Sequence, residues 1–146
     1  RRNPDARFGL LVSSRDKSLE SFDIKAAHGK FFRAGPWYVD PETSPNSCRR
    51  FLEAATEFSA QGLELDHTIV FWGGDFVRKG ESWDIAAAKR YRSNSGVRDP
   101  KQLRRNAYRV LLTRGREGLI LCLPKSRLDL DETYEFLSAA GCEVLI

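Results

Sequence analysis

The chain has 146 residues, 41% of them apolar and 30% charged, with a net charge of +4 at pH 7 and an isoelectric point near 9.1. That length fits one domain with a real core, and the composition excludes a disordered polymer. No apolar run approaches the roughly 20 residues a membrane-spanning helix needs, and the start carries no signal-peptide pattern. Methionine is absent, position 1 included, so we expect a piece cut from something larger. Three cysteines (Cys48, Cys122 and Cys142) lie far apart, and their odd number argues against a disulfide framework. His28 and His67 read as surface or strand-end residues and give no metal-ligand spacing with the cysteines. A reducing cytoplasm and no structural metal are the expected setting.

In chain order, residues 8–13 are a short apolar run ending in small hydroxyl residues, which predicts a buried strand. Ser13, Ser14, Arg15 and Asp16 follow at its carboxyl end, the edge where ligands collect in open α/β sheets. Residues 18–27 predict a short helix with Leu19, Phe22 and Ala26 on one side. Residues 35–45 are rich in turn formers and read as loop, with a brief strand at 37–39. Asn46 or Ser47 suits the cap of a short helix running to Arg50. Residues 51–58 read as a strand entering a loop, and 67–72 as another strand. After Gly73-Gly74, residues 75–85 predict a β-hairpin hung on the sheet. Asp75 reads as a turn residue without chemistry, and Phe71, Trp72 and Trp83 as packing. Residues 86–96 form a basic surface loop or fraying helix.

Asp99-Pro100 predicts a capped helix start. Leu103, Ala107, Val110 and Leu111 recur at helical spacing as its buried stripe, with Lys101, Arg105 and Arg109 opposite. Gly115 suits a left-handed stop. Arg114, four residues after Val110 and three after Leu111, falls at the lip of the buried face. Residues 119–123 predict a strand ended by Pro124, with Cys122 a small buried thiol. Residues 131–140 predict a helix with Tyr134 and Leu137 inward, Gly141 its cap, Cys142 buried in the closing turn, and 143–146 a last strand. Strands alternating with helices give an α/β fold with a mostly parallel sheet, helices on its faces and the hairpin as an antiparallel insertion. From Lys89 to Arg116 the chain carries Lys89, Arg90, Arg92, Arg98, Lys101, Arg104, Arg105, Arg109, Arg114 and Arg116 against one acid, Asp99. Such clustering favours phosphate-bearing partners, and a solvated basic face is the plainer alternative.

Two motifs go further. Thr56-Glu57-Phe58-Ser59-Ala60-Gln61-Gly62-Leu63-Glu64 lies between two predicted strands and resembles motif V of superfamily 1 helicases of the Rep/UvrD type, Thr-x-x-x-Ala-x-Gly-Leu-Glu. Residues 110–116, with Thr113-Arg114-Gly115 closing an apolar helix, resemble motif VI of the same group. Residues 54–116 as a whole resemble the carboxyl-terminal part of a bacterial, Schlafen-related helicase-like family. The likeness extends to Pro36-Trp37, to residues 44–48 and to residues 106–115.

The resemblance implies that residues 1–146 form a single domain, the second RecA-like (P-loop NTPase-type) domain of a larger helicase-like protein. Arg114 would be the arginine finger, whose planar, always-protonated guanidinium suits a transferring phosphoryl group. Its plainer reading is a helix-end arginine complementing the macrodipole, worth roughly 0.3–1 kcal/mol; the Thr-Arg-Gly match favours the finger and leaves Arg116 as the dipole residue. Gln61, Gly62 and Glu64 would line the nucleotide edge, with a solvated loop carboxylate an even alternative for Glu64. Residues 8–17 stand where motif IV belongs, with Ser13 at the usual arginine position and Arg15 as a substitute nucleotide contact. Thr56 would touch the nucleic-acid backbone, and Phe58, where relatives carry histidine, would stack on a base. Arg105 and Arg109 are candidates for the nucleic-acid track, with a solvated face as the plainer account.

The sequence contains no Gly-x-x-x-x-Gly-Lys-Ser/Thr loop and no Walker B acidic strand. ATP and Mg²⁺ are therefore expected to be bound mainly by an amino-terminal RecA-like domain of the same protein, and this chain alone to be inactive. Its expected partners are that domain and single-stranded DNA or RNA, with no membrane. The alternative is a basic nucleic-acid-binding or regulatory module whose ATPase geometry has decayed.

Overall fold

The structure is a computed structural model that describes residues 3, 5–27 and 31–145, so the expectations for His28 and for a strand end at Ile146 lie outside the described residues. Its elements in chain order are β1 (Phe8–Val12), α1 (Ala34–Val39), β2 (Ala55–Thr56), β3 (Leu65–Phe71), β4 (Val77–Lys79), β5 (Ser82–Asp84), α2 (Pro100–Leu112), β6 (Gly115–Cys122) and α3 (Asp131–Ala139). Short 3-10 turns occupy Leu19–Phe22, Cys48–Arg50 and Leu128–Leu130.

The sheet runs β2-β1-β3-β6, and all of its pairings are parallel. Alternating side chains divide its core. Leu11 and Val70 point to one face, where Trp37 of α1 and Leu111 of α2 cover them. Val12 and Phe71 point to the other, covered by Leu19 and Phe22. The helices on the sheet thus gather on one face rather than both. Past the carboxyl end of β3, Trp72, Phe76, Tyr108 and Leu130 form a further cluster with Leu137 of α3.

The α/β class and the parallel sheet agree with the periodicity of the sequence. The hairpin exists, but β4 and β5 form a sheet of their own. It is pinned to α3, where Thr133 Oγ1 accepts the Arg78 N–H at 2.8 Å, and Trp83 stacks on Phe76 at 4.4 Å between centroids.

Several local expectations are corrected. The loop at 35–45 contains α1, because Pro36 sits in the first turn, where a missing N–H costs nothing, and because Trp37 buries its ring while its indole N–H bonds Glu53 O at 3.1 Å. Residues 18–27 are helical only as the 3-10 turn, and Ala26 instead bridges Ala54. The strand expected at 51–58 reduces to β2. Gly115 takes no left-handed conformation; it opens β6, and a Cβ there would come 2.3 Å from Gly118 O. Tyr134 points out at 46% exposure while Thr133 is buried. Residues 143–145 form no strand, and Cys122 and Cys142 are exposed.

Candidate functional site

The carboxyl edge of a parallel sheet gathers the residues that follow each strand. Ser13 follows β1, Glu57 follows β2 and Asp75 lies just past β3. All of them are buried. Carboxylates in that position need a cation and hydrogen-bond donors. Both come from α2, whose inward positions are Arg104, Ala107, Tyr108 and Leu111. Leu103, expected inward, is 39% exposed, whereas Arg104 is 2% exposed.

The Arg104 guanidinium is fully engaged. Nη2 donates to Glu57 Oε1 at 3.1 Å, Nη1 to Ser13 Oγ at 2.9 Å and Asp75 Oδ2 at 3.3 Å, and Nε to Tyr91 Oη at 3.0 Å. Glu57 is held from its other side by Ser14, through the backbone N–H at 2.8 Å and the hydroxyl at 2.6 Å. Asp75 accepts from Ser13 Oγ and, at 2.8 Å, from Tyr108 Oη, which itself accepts the Gly73 N–H at 3.1 Å. Burial pushes the Asp75 carboxyl above its ordinary value, against the Ser13 and Tyr108 hydrogen bonds and the Arg104 charge, which pull it down. Burial, and then the Asp75 charge, push the Tyr108 phenol well above its ordinary value, so it stays a donor.

At the opposite edge, the turn leading into β3 meets the end of α2. Gly62 has φ +82°, a left-handed conformation that favours glycine, and Gln61, Gly62 and Glu64 are exposed. Thr113 Oγ1 bonds Arg109 O at 2.8 Å and closes the helix. Arg114 follows, half-buried, and its carbonyl accepts the Leu65 N–H at 2.9 Å. Its guanidinium meets only neutral acceptors: Val110 O at 3.1 Å, Leu63 O at 3.5 Å and Thr113 Oγ1 at 3.4 Å. Among the described residues Arg114 has no carboxylate partner, whereas Arg116 and Arg127 each have one and Arg104 has two. Arg116, read as the dipole residue, keeps its side chain 57% exposed and bonds Asp66 at 2.6 Å.

A family model described as Schlafen group 3, DNA/RNA helicase domain, matches residues 1–125. The chain belongs to that Schlafen helicase-domain family. No curated protein matches it, and no solved structure does. The matched span of this Schlafen-family domain contains both edges of the sheet and stops before α3.

Of the residues singled out in the sequence, Arg114, Gln61, Gly62 and Glu64 come together at the amino edge. Arg15 does not join them. It lies at the carboxyl edge, a strand length of roughly 20 Å away, with its guanidinium 4.2 Å from the Tyr91 ring centroid. Thr56 is buried, its hydroxyl 3.2 Å from Ser59 Oγ inside the turn that follows β2. Phe58, on that turn, is 65% exposed. Arg105 and Arg109 stand exposed on the outer side of α2.

The sequence reading missed Glu57, Asp75, Arg104 and Tyr108. Only part of the signal lay in the sequence: Arg104, Tyr108 and Leu111 sit at i, i+4 and i+7, on one helical face. Among the described residues no group of His, Cys, Asp or Glu is placed to hold a metal ion, and no helix is long and apolar enough to cross a membrane.

Proposed function

We propose that this chain is the carboxyl-terminal RecA-like half of a nucleic-acid-dependent ATPase, and that Arg114 is its arginine finger. The observation that carries this reading is the state of Arg114. Its helix is anchored in the core, its guanidinium is half-buried, and among the described residues it rests on neutral acceptors with no acid to satisfy it. An arginine so placed suits an anionic group brought by a partner surface, and a planar guanidinium matches phosphoryl oxygens bidentately. Gln61, Gly62 and Glu64 present their exposed turn to the same nucleotide edge.

In this reading the phosphate loop and Mg²⁺ belong to the amino-terminal RecA-like domain of the same protein. This chain's own contribution is positive charge at the transferring phosphoryl group. Single-stranded DNA or RNA lies against the turn after β2, with Phe58 available for base stacking, Thr56 shaping that turn, and Arg105 and Arg109 neutralising phosphates. The experiment is ATP turnover with and without single-stranded nucleic acid by the protein containing this chain, wild type against Arg114→Ala. A loss of roughly 10³-fold is expected. Near-wild-type turnover sinks the reading.

The exposure of Phe58, Arg105 and Arg109 also favours a second reading, a basic nucleic-acid-binding module without ATPase function. It requires this chain alone to bind single strands with a steep salt dependence that charge reversal at Arg105 and Arg109 abolishes. No binding even at low salt removes it.

A further inference from the structure

The buried cluster at the carboxyl edge joins the two motif-bearing segments directly. Glu57 lies between Thr56 and the exposed Phe58 in the turn after β2. Arg104 lies on the helix that ends in Arg114. Their side chains meet at 3.1 Å, at exposures of 2% for Arg104 and 5% for Glu57. No other cation forms an ion pair with Glu57 among the described residues, so the two segments share one contact that cannot be replaced from solvent.

We infer that Arg104 and Glu57 are positioning residues that fix the setting of α2 and thereby aim Arg114, so that a shift of the turn after β2 is felt at the helix end. The inference rests on the finger reading of Arg114. A helix transmits such a shift because it is stiff, and Arg104 and Arg114 are ten residues apart, roughly 15 Å along its axis. Arg104 reaches the ends of β1, β2 and β3 through Ser13, Glu57 and Asp75, and it reaches the loop at Tyr91 as well. Tyr108, one turn further on, repeats the attachment through Asp75 and the Gly73 N–H. Below that, Leu111 packs on the sheet. Among the described residues the Arg114 guanidinium is held only by neutral acceptors, so its direction depends on where those anchors put the helix.

Such clusters stabilise any fold, so the test must separate aiming from folding. In the protein containing this chain, Glu57→Gln removes the charge and keeps the shape, and Arg104→Lys keeps the charge and loses the fork. Ser14→Ala is a milder companion that removes only one hydroxyl holding Glu57. Thermal unfolding identifies the variants that remain folded, and their ATP turnover is measured alone and combined with Arg114→Ala. Each folded variant is expected to lose kcat, by up to about 10²-fold for Glu57→Gln, the scale of a 1 Å misplacement at a reacting centre. The KM for ATP should stay within about threefold, because the triphosphate is bound elsewhere. In the Arg114→Ala background the same changes should produce no further loss. Losses that multiply with Arg114→Ala, or wild-type kcat in folded variants, overturn the positioning role and leave the finger intact. Wild-type turnover by Arg114→Ala itself overturns the finger, and the positioning role with it.

Discussion

Arg104 Nη2 lies 3.1 Å from Glu57 Oε1, and neither side chain is reached by water to any extent. Removing one partner of a buried pair leaves the other charge uncompensated, which costs about 3–5 kcal/mol. Arg104→Met leaves two buried carboxylates, Glu57 and Asp75, and should lower the unfolding free energy by about that amount. Urea denaturation measures it. A loss below about 1 kcal/mol would mean that the cluster is not buried as described.

Tyr108→Phe removes one hydroxyl and no packing area of consequence. It deprives Asp75 Oδ1 of a donor and the Gly73 N–H of its acceptor. Buried groups left unsatisfied cost about 1–3 kcal/mol, so a fall in stability of that size is expected. An unchanged unfolding midpoint contradicts the hydrogen-bond assignment.

The two glycines after β3 should respond unequally to alanine. A Cβ on Gly73 would lie 2.5 Å from Asp16 Cγ, and Asp16 is buried and bonded to the Ser18 backbone N–H at 3.0 Å. On Gly74 it would meet the far end of the long Arg127 side chain, which Asp129 and Ser18 hold at its tip but whose stem has several rotatable bonds. Overpacking of a held group costs about 1–3 kcal/mol, whereas a long side chain can swing away. Gly73→Ala should therefore lower the melting temperature more than Gly74→Ala, and the reverse order is the failing result.

Asp66 gives a pH dependence with a definite sign. The Arg7 backbone N–H at 2.7 Å, and then the Arg116 guanidinium, hold its carboxyl below the usual carboxylate range. The folded state therefore releases this proton more readily than the unfolded chain. The resulting stability is fully present above the unfolded value of about 3.9 and is lost as pH falls through the depressed folded value. Asp75, raised by burial, works in the opposite direction, with stability falling as pH rises from about 4 through its raised value. Subtracting the Asp66→Asn curve from wild type isolates the first effect. The difference between them should shrink on acidification, and a difference independent of pH counts against the assignment.

Much of the fold was legible because apolar periodicity decides it. The runs at β1, β3 and β6, and Asp99 as the cap of α2, accepting the Gln102 N–H at 2.9 Å, follow from local rules. Pairings and short pieces were less legible. Helix α1 exists because Trp37 finds the sheet, and the closing strand does not form despite its apolar residues. Arg114 and the Gln61–Glu64 turn could be picked out because they occur as a motif. The Glu57–Arg104–Asp75 cluster could not be read from hydrophobicity, which places Leu103 inside and Arg104 outside. Its logic appears only when the ends of three strands are brought beside one helix. The same burial takes Arg104 out of the basic face that the run from Lys89 to Arg116 suggests.

The central claim is that Arg114 completes a nucleotide site from across a domain boundary. It is tested most directly by measuring ATP affinity and ATP turnover together for Arg114→Ala in the protein containing this chain. The account predicts affinity within about threefold of wild type and turnover lower by roughly 10³-fold, because the side chain acts on charge that develops during transfer. Turnover close to wild type, or a loss found entirely in ATP affinity, contradicts it.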